Sequence, residues 1–176
     1  MQMLKLPASH AAVTTAFSTF DNSHLDGFTI SLTGKGRDPG TDIIIEIAFS
    51  CHVYSERADS SESSDFRDHF GNGRRFCNKR HSDSIMLPAL MRQTIQDDLV
   101  CNIAKDHNQT ANLAYFDLGR GDPYWVIFYL EPASVRPDVI RLNVISAYRA
   151  AQGRRSGGNK FSYFARQCVF KQKRVP

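Results

Sequence analysis

The sequence predicts an α+β fold, an antiparallel sheet of five or six strands packed against one main helix. Three stretches carry that expectation. TDIIIEIAFSCHVY, residues 41–54, alternates Ile43, Ile45, Ile47, Phe49, Cys51 and Val53 with Asp42, Glu46, Ser50 and His52, the period of a strand with one oily face. YWVIFYL at 124–130 is apolar throughout, as a central strand is. SDSIMLPALMRQTIQDDLVCNI at 82–103 instead spaces Leu87, Leu90, Met91, Thr94, Ile95 and Leu99 at helical intervals.

The other elements follow in chain order. SHAAVTTAFSTF at 9–20 has the outline of a second, short helix with Ser9 as N-cap, though its threonines weaken it. FTISL at 28–32 reads as a strand, and GKGRDPG at 34–40 as a turn cluster. The acidic, Ser-rich run 56–73 reads as a mobile loop or insertion. Ser82 or Ser84 would cap the main helix, with Pro88 tolerated in its first turn. KDHNQT at 105–110 is loop, ANLAYFDL at 111–118 a strand and GRGDP at 119–123 a turn. EPASVRPD at 131–138 is a connection. VIRLNVISAY at 139–148 is a strand, setting Ile140, Leu142, Val144 and Ser146 opposite Arg141, Asn143, Ile145 and Ala147. The Gly/Arg-rich loop 149–160 leads into KFSYFARQCVF, 160–170, read as a last strand. Short connections favour a meander. Residues 1–40 are set apart as an accessory segment and 41–176 as a single domain.

A chain of 176 residues can bury a core without staples. No window of about 18 apolar residues exists, so no membrane partner is expected. The first residues lack the charged and apolar blocks of a signal peptide, and a cytoplasmic location is expected. Cys51, Cys77, Cys101 and Cys168 form no CxxC pair, so neither a disulfide framework nor a zinc ribbon is expected. Net charge is +4, but residues 149–176 hold eight basic residues and no acid, leaving 14 basic against 18 acidic before them. A basic end on an acidic body suits a polyanionic partner by counterion release; a solvated tail that keeps the chain soluble is the plainer reading.

Gly-rich stretches match neither a P-loop nor a dinucleotide fingerprint. Cys51, His52, Cys77 and His81 lack the tight paired spacing of a zinc site, and no carboxylate pair suits two Mg²⁺ ions. No metal and no cofactor are expected. A site of His, Arg, Lys and Tyr remains. RNA supplies its own nucleophile, the 2′-hydroxyl. Cleaving it needs a base, an acid for the leaving oxygen, and cations on the phosphate. His52 at a strand end, Arg74, Arg75, Lys79, Arg80 and His81 ahead of the main helix, and Ser146 and Tyr148 ending a later strand could supply these. Each also has a structural reading: His52 as a satisfied strand histidine, Arg75 as a partner of Glu46 or Asp83, Tyr148 as an edge aromatic, Ser146 as a small residue facing the helix.

The apolar strand, connection and closing Ser146-Ala147-Tyr148 resemble the last strands of the ribonuclease toxin superfamily that joins barnase, EndoU, the tRNase colicins and RelE. The wider pattern is similar to uncharacterised bacterial and mobile-element proteins. It comprises Ser50-Cys51-His52-Val53-Tyr54, Arg74/Arg75-Phe76, Arg80, Ser84, Leu87-Pro88 and the Ser146-Ala147-Tyr148 end, over roughly 42–172. The Gly/Arg-rich loop and the first 35 residues depart from it.

The resemblance implies the reaction class, metal-independent RNA cleavage; the reading built on it is an endoribonuclease of the toxin kind acting on tRNA or mRNA, for which an antitoxin or immunity protein would be a partner. His52 would be base or acid, with His81 or Tyr148 opposite. Arg75 and Arg80 would hold the scissile phosphate and Ser146 a phosphate oxygen or a base. Arg74, Lys79, Arg149, Arg154, Arg155 and Lys160 would hold neighbouring phosphates. Two other classes stay open: a non-catalytic nucleic-acid-binding or mobile-element regulatory protein, and an inhibitor of a host protein.

Overall fold

The computed structural model describes residues 6–7, 9–59, 63–105, 111–117, 122–133, 136–151 and 157–176. In chain order the strands are β1 (Val13–Thr14), β2 (Thr19–Phe20), β3 (Phe28–Leu32), β4 (Ile43–Phe49), β5 (Ser55–Arg57), β6 (Phe66–Arg67) and β7 (Gly73–Phe76). Helices α1 (Asn78–Ser84) and α2 (Leu87–Gln96) come next, then β8 (Val100–Lys105), β9 (Ala111–Asp117), β10 (Tyr124–Pro132), β11 (Val139–Arg149), β12 (Gly158–Lys160) and α3 (Phe161–Lys171). Two 3-10 turns lie at Ser23–Leu25 and Cys51–Val53.

The α+β class holds, but the main sheet has seven strands and is mixed. Its order is β12-β8-β9-β10-β11-β4-β3. The expected meander is there as β8-β9-β10-β11, and β10 lies at its centre. The departure is β11, which runs parallel to β4. Strand β3 comes from the segment set apart as accessory; it is an edge strand of the main sheet, antiparallel to β4.

Strand β4 alternates as its residues predict, with Ile43, Ile45, Ile47 and Phe49 all buried. They join Val126, Phe128 and Leu130 of β10, Leu142 and Val144 of β11, and the apolar faces of α2 and α3 in one core. Burying each such side chain is worth about 1.5–3 kcal/mol.

Four local expectations are corrected. Residues 9–20 form no helix; β1 and β2 pair as a hairpin. Thr15 Oγ1 accepts the amides of Phe17 and Ser18, local bonding that competes with a helix. The main helix is two: α1 ends before Ile85, and Pro88 sits in the first turn of α2. Neither Ser82 nor Ser84 caps α2, and Val100 onward is strand β8. Thirdly, 160–170 is helix α3, not a strand. Its buried residues Phe161, Phe164, Ala165, Cys168 and Val169 follow a helical stripe that outweighs the β propensity of Phe, Tyr and Val. Asp98, held at φ 50°, accepts both the Ser162 amide (2.7 Å) and its hydroxyl (2.8 Å) at the start of α3.

The fourth correction concerns β11. Its register against β10 shifts between Ile127 and Phe128, so Val126 pairs with Ala147 and Phe128 with Val144. The extra residue is Ile145, and the bulge reverses the faces beyond it. Ala147 is buried with the core, and Ser146 lies half-buried on the opposite face, across from Ile127.

Of the run 56–73, residues 60–62 lie outside the described set. Around them β5, β7 and β6 form a second, three-stranded sheet. No helix among the described residues is long and apolar enough to cross a membrane.

Candidate active site

The site grows out of the end of β4. The Ser50 amide makes a last sheet bond to Val144 O, and the chain then turns through Cys51–Val53. Ser50 Oγ accepts the His52 amide at 3.3 Å and caps the turn. His52 therefore stands on a 3-10 turn, not on the polar face of a strand.

Three side chains hold that turn. Ser55 Oγ donates to Cys51 O at 2.7 Å. Arg74 donates from Nε to Ser55 Oγ (3.1 Å) and from Nη2 to Ser55 O (3.0 Å). Arg80 donates from Nη1 to His52 O (3.2 Å) and Ser55 O (2.9 Å). The guanidinium groups thus bind the His52 carbonyl of the turn and the Ser55 carbonyl at the start of β5.

The His52 ring meets a carboxylate outside every motif singled out above. Its Nε2 lies 3.0 Å from Oδ2 of Asp68, whose side chain is 1% exposed against 28% for His52. Asp68 anchors the turn that follows β6. Its Oδ1 accepts the amides of Phe70 and Asn72, each at 2.9 Å. The Asn72 amide group lies within 3.3 Å of both carboxylate oxygens. Burial pushes the Asp68 carboxyl up, but the bonds from His52, Asn72 and Phe70 outweigh it and hold it at about 2.

That value fixes the tautomer of His52. An ionised carboxylate only accepts, so Nε2 carries the proton. Burial lowers the His52 pKa below 6.5, while the Asp68 bond pulls the other way. In the neutral ring Nδ1 keeps its lone pair, and among the described residues no donor occupies it. The result is a carboxylate-oriented imidazole with one basic nitrogen at its disposal.

The other expected site residues are dispersed. Arg80 stays with His52: besides bonding its carbonyl, its guanidinium lies 5.7 Å from the centre of the Tyr148 ring. Arg74 is buried and serves the turn. Arg75 pairs with Glu56 at 3.1 Å, across β5 and β7, rather than with Glu46 or Asp83. His81 is engaged elsewhere: its Nε2 donates to Asp21 O at 3.0 Å, and its ring packs among Phe20, His24 and Phe76.

Lys79 is exposed on α1. Arg149 pairs with Asp83 at 3.0 Å and donates to Asp122 O. Lys160, exposed at the end of β12, lies five strand positions from β4, about 24 Å at ordinary sheet spacing. Arg154 and Arg155 lie outside the described residues.

A second cluster of imidazoles ties the N-terminal segment down. His10 Nε2 donates to Phe49 O at 3.0 Å, and its Nδ1 faces Tyr54 Oη at 3.5 Å. His24 Nε2 lies 2.8 Å from Ser84 Oγ, and its ring centre lies 5.3 Å from that of His81. Burial lowers the pKa of both His10 and His24, and neighbouring His81 lowers His24 further. All four cysteines are free thiols, and burial pushes Cys101 and Cys168 up to about 12. Among the described residues no three His, Cys, Asp or Glu side chains gather as a metal site would require.

Fold and site together define an α+β protein in which a buried aspartate that follows β6 pairs with a half-buried histidine on the turn that leaves β4. The sequence model of the YjaZ family matches residues 12–169, and the chain belongs to that family. No curated protein and no solved structure matches it.

Proposed function

We propose that this protein is a metal-independent endoribonuclease of the toxin kind. The observation that carries the reading is the His52–Asp68 pair, which leaves Nδ1 of a neutral imidazole as a base. In this reading Nδ1 takes the proton of an RNA 2′-hydroxyl, and the 2′-oxygen attacks the adjacent phosphorus. The bond from phosphorus to the 5′-oxygen breaks. Tyr148, beside Arg80, gives its proton to that oxygen. The products are a 2′,3′-cyclic phosphate and a free 5′-hydroxyl. Arg75, once displaced from Glu56 by phosphate, and exposed Lys79 supply positive charge. An antitoxin or immunity protein that covers His52 is the natural counterpart.

The order α2 then β8-β9-β10-β11 also suits the ribonuclease resemblance, in which a helix precedes an antiparallel sheet. That is an analogy of fold, and the site carries the argument.

One observation favours a non-catalytic nucleic-acid-binding protein. Arg74, Arg80 and Arg149 all serve internal bonds, whereas Lys160, Arg166, Lys171 and Lys173 are exposed along β12 and α3.

Incubation with total tRNA and a defined mRNA in EDTA separates the two. The ribonuclease reading expects cyclic phosphate ends that His52→Ala abolishes, since a positioned base contributes about 10²–10⁴-fold. Intact RNA bound in a salt-dependent manner would transfer the protein to the binding class.

A further inference from the structure

We propose that the ring pair His69–Phe70 is a stacking platform for one nucleobase of a single-stranded RNA, seated beside the His52–Asp68 pair. The inference deepens the RNA reading above and rests on it for the identity of the ligand.

Phe70 is 65% exposed, and its ring lies against His69. Phe17 is more exposed, at 95%, but stands alone at the β1–β2 tip, and exposed Phe170 lies under the Arg166 guanidinium. Phe70, by contrast, adjoins the candidate site through His69. Its ring centre lies 4.0 Å from that of His69, and His69 lies 6.5 Å from His52. His69 thus links the base to an exposed ring.

The platform is built rather than incidental. Asp68 Oδ2 holds His52 while Oδ1 holds the Phe70 amide, so one buried carboxylate positions both the base and the backbone that carries the aromatic ring. The turn is closed by the Gly71 amide on Asp68 O (2.9 Å) and by Arg67 Nη1 on Gly71 O (2.7 Å). Gly71 sits at φ +84°, where a side chain would strain the backbone. A turn fixed in advance leaves less backbone freedom to lose when a partner stacks on the ring it carries.

Every nucleobase offers a π-face, so such a surface accepts any base. It reaches only a base free of its own stack, which selects single strands and loops over duplex. The arrangement would hold the nucleotide next to the scissile phosphate and leave its edge unread.

The test uses a 2′-O-methyl oligonucleotide carrying 2-aminopurine, which cannot be cleaved and whose fluorescence falls on stacking. The wild-type protein should quench it. Phe70→Ala should remove the quenching and weaken binding about 5- to 100-fold, the range for one stacked base. Phe70→Trp should preserve both, whereas Phe70→Leu, apolar without a ring, should not. Equal quenching and affinity in wild type and Phe70→Ala would overturn the platform. Cleavage of ordinary RNA is scored separately. Quenching without cleavage keeps the platform and rejects the catalytic reading; cleavage without quenching does the reverse. Absence of any RNA binding overturns both.

Discussion

Replacing Asp68 by Asn removes one charge and keeps the shape. The Asn oxygen can still accept the Phe70 and Asn72 amides. Its NH₂ group would face either the Asn72 amide or the Nε2–H of His52, where only acceptors are wanted. The carboxyl is held at about 2 against an ordinary 3.8, a difference of roughly 2 kcal/mol at 1.36 kcal/mol per unit. Hydrogen bonds to charged groups, about 1.5–3 kcal/mol each, point to the same size. Because the folded pKa is depressed, this stabilisation is complete above 3.8 and is lost as pH falls through about 2. Urea unfolding at neutral pH should therefore show Asp68→Asn less stable by about 2 kcal/mol, with an unchanged slope. The difference should shrink in strong acid. A loss below about 0.5 kcal/mol, or one that persists unchanged in strong acid, would refute the reasoning.

Three further outcomes follow from the same structure. His10, His24 and His52 all have lowered pKa values, so each favours the folded state fully above 6.5 and progressively less as pH falls below it. Unfolding midpoints should decline on mild acidification, and His24→Gln should flatten that decline. Asp98→Ala, which removes the cap from α3, should cost about 0.5–2 kcal/mol in the same assay, while Asp97→Ala, at a neighbouring exposed position, should cost little. Met91→Ala, at a fully buried position of α2, should cost about 2–5 kcal/mol and lower the thermal midpoint without changing the far-ultraviolet spectrum.

Much of the fold is legible wherever one face of an element is buried and the other is not. Ile43, Ile45, Ile47 and Phe49 alternate in sequence and in burial, which defines β4. Phe28–Leu32 is legible for the same reason, and Tyr124–Leu130 because it is apolar on both faces, as a central strand is. Helix α3 is less so, because Phe, Tyr and Val suggest a strand while the spacing of Phe161, Phe164, Ala165, Cys168 and Val169 suggests a helix; the spacing decides. The parallel pairing of β11 with β4 joins segments far apart in sequence and leaves no local trace. Nor does the bulge at Ile145, which places Ser146 away from the core.

The site divides in the same way. His52 stands out by its residue type and neighbours. Asp68 does not, since it lies in a Ser-rich acidic run that reads as loop. The available signal is its spacing to Gly71 and Asn72, the composition of a tight turn closed by an Asp side chain. The density of Arg74, Arg75, Lys79, Arg80 and His81 suggests a grip on phosphate. Geometry assigns Arg74 and Arg80 to the Ser55 carbonyl at the start of β5, Arg75 to Glu56 and His81 to the N-terminal segment. Charge density alone cannot separate an anchor from a ligand contact.

The chemistry proposed for this protein stands on one atom, Nδ1 of His52. Nitrogen-15 NMR of the imidazoles, followed through a pH titration, observes it directly. The account predicts that neutral His52 carries its proton on Nε2 and titrates below 6.5, and that Asp68→Asn lowers that value further by removing the group that raises it. A neutral ring protonated on Nδ1, or a His52 that titrates above 6.5, would contradict it.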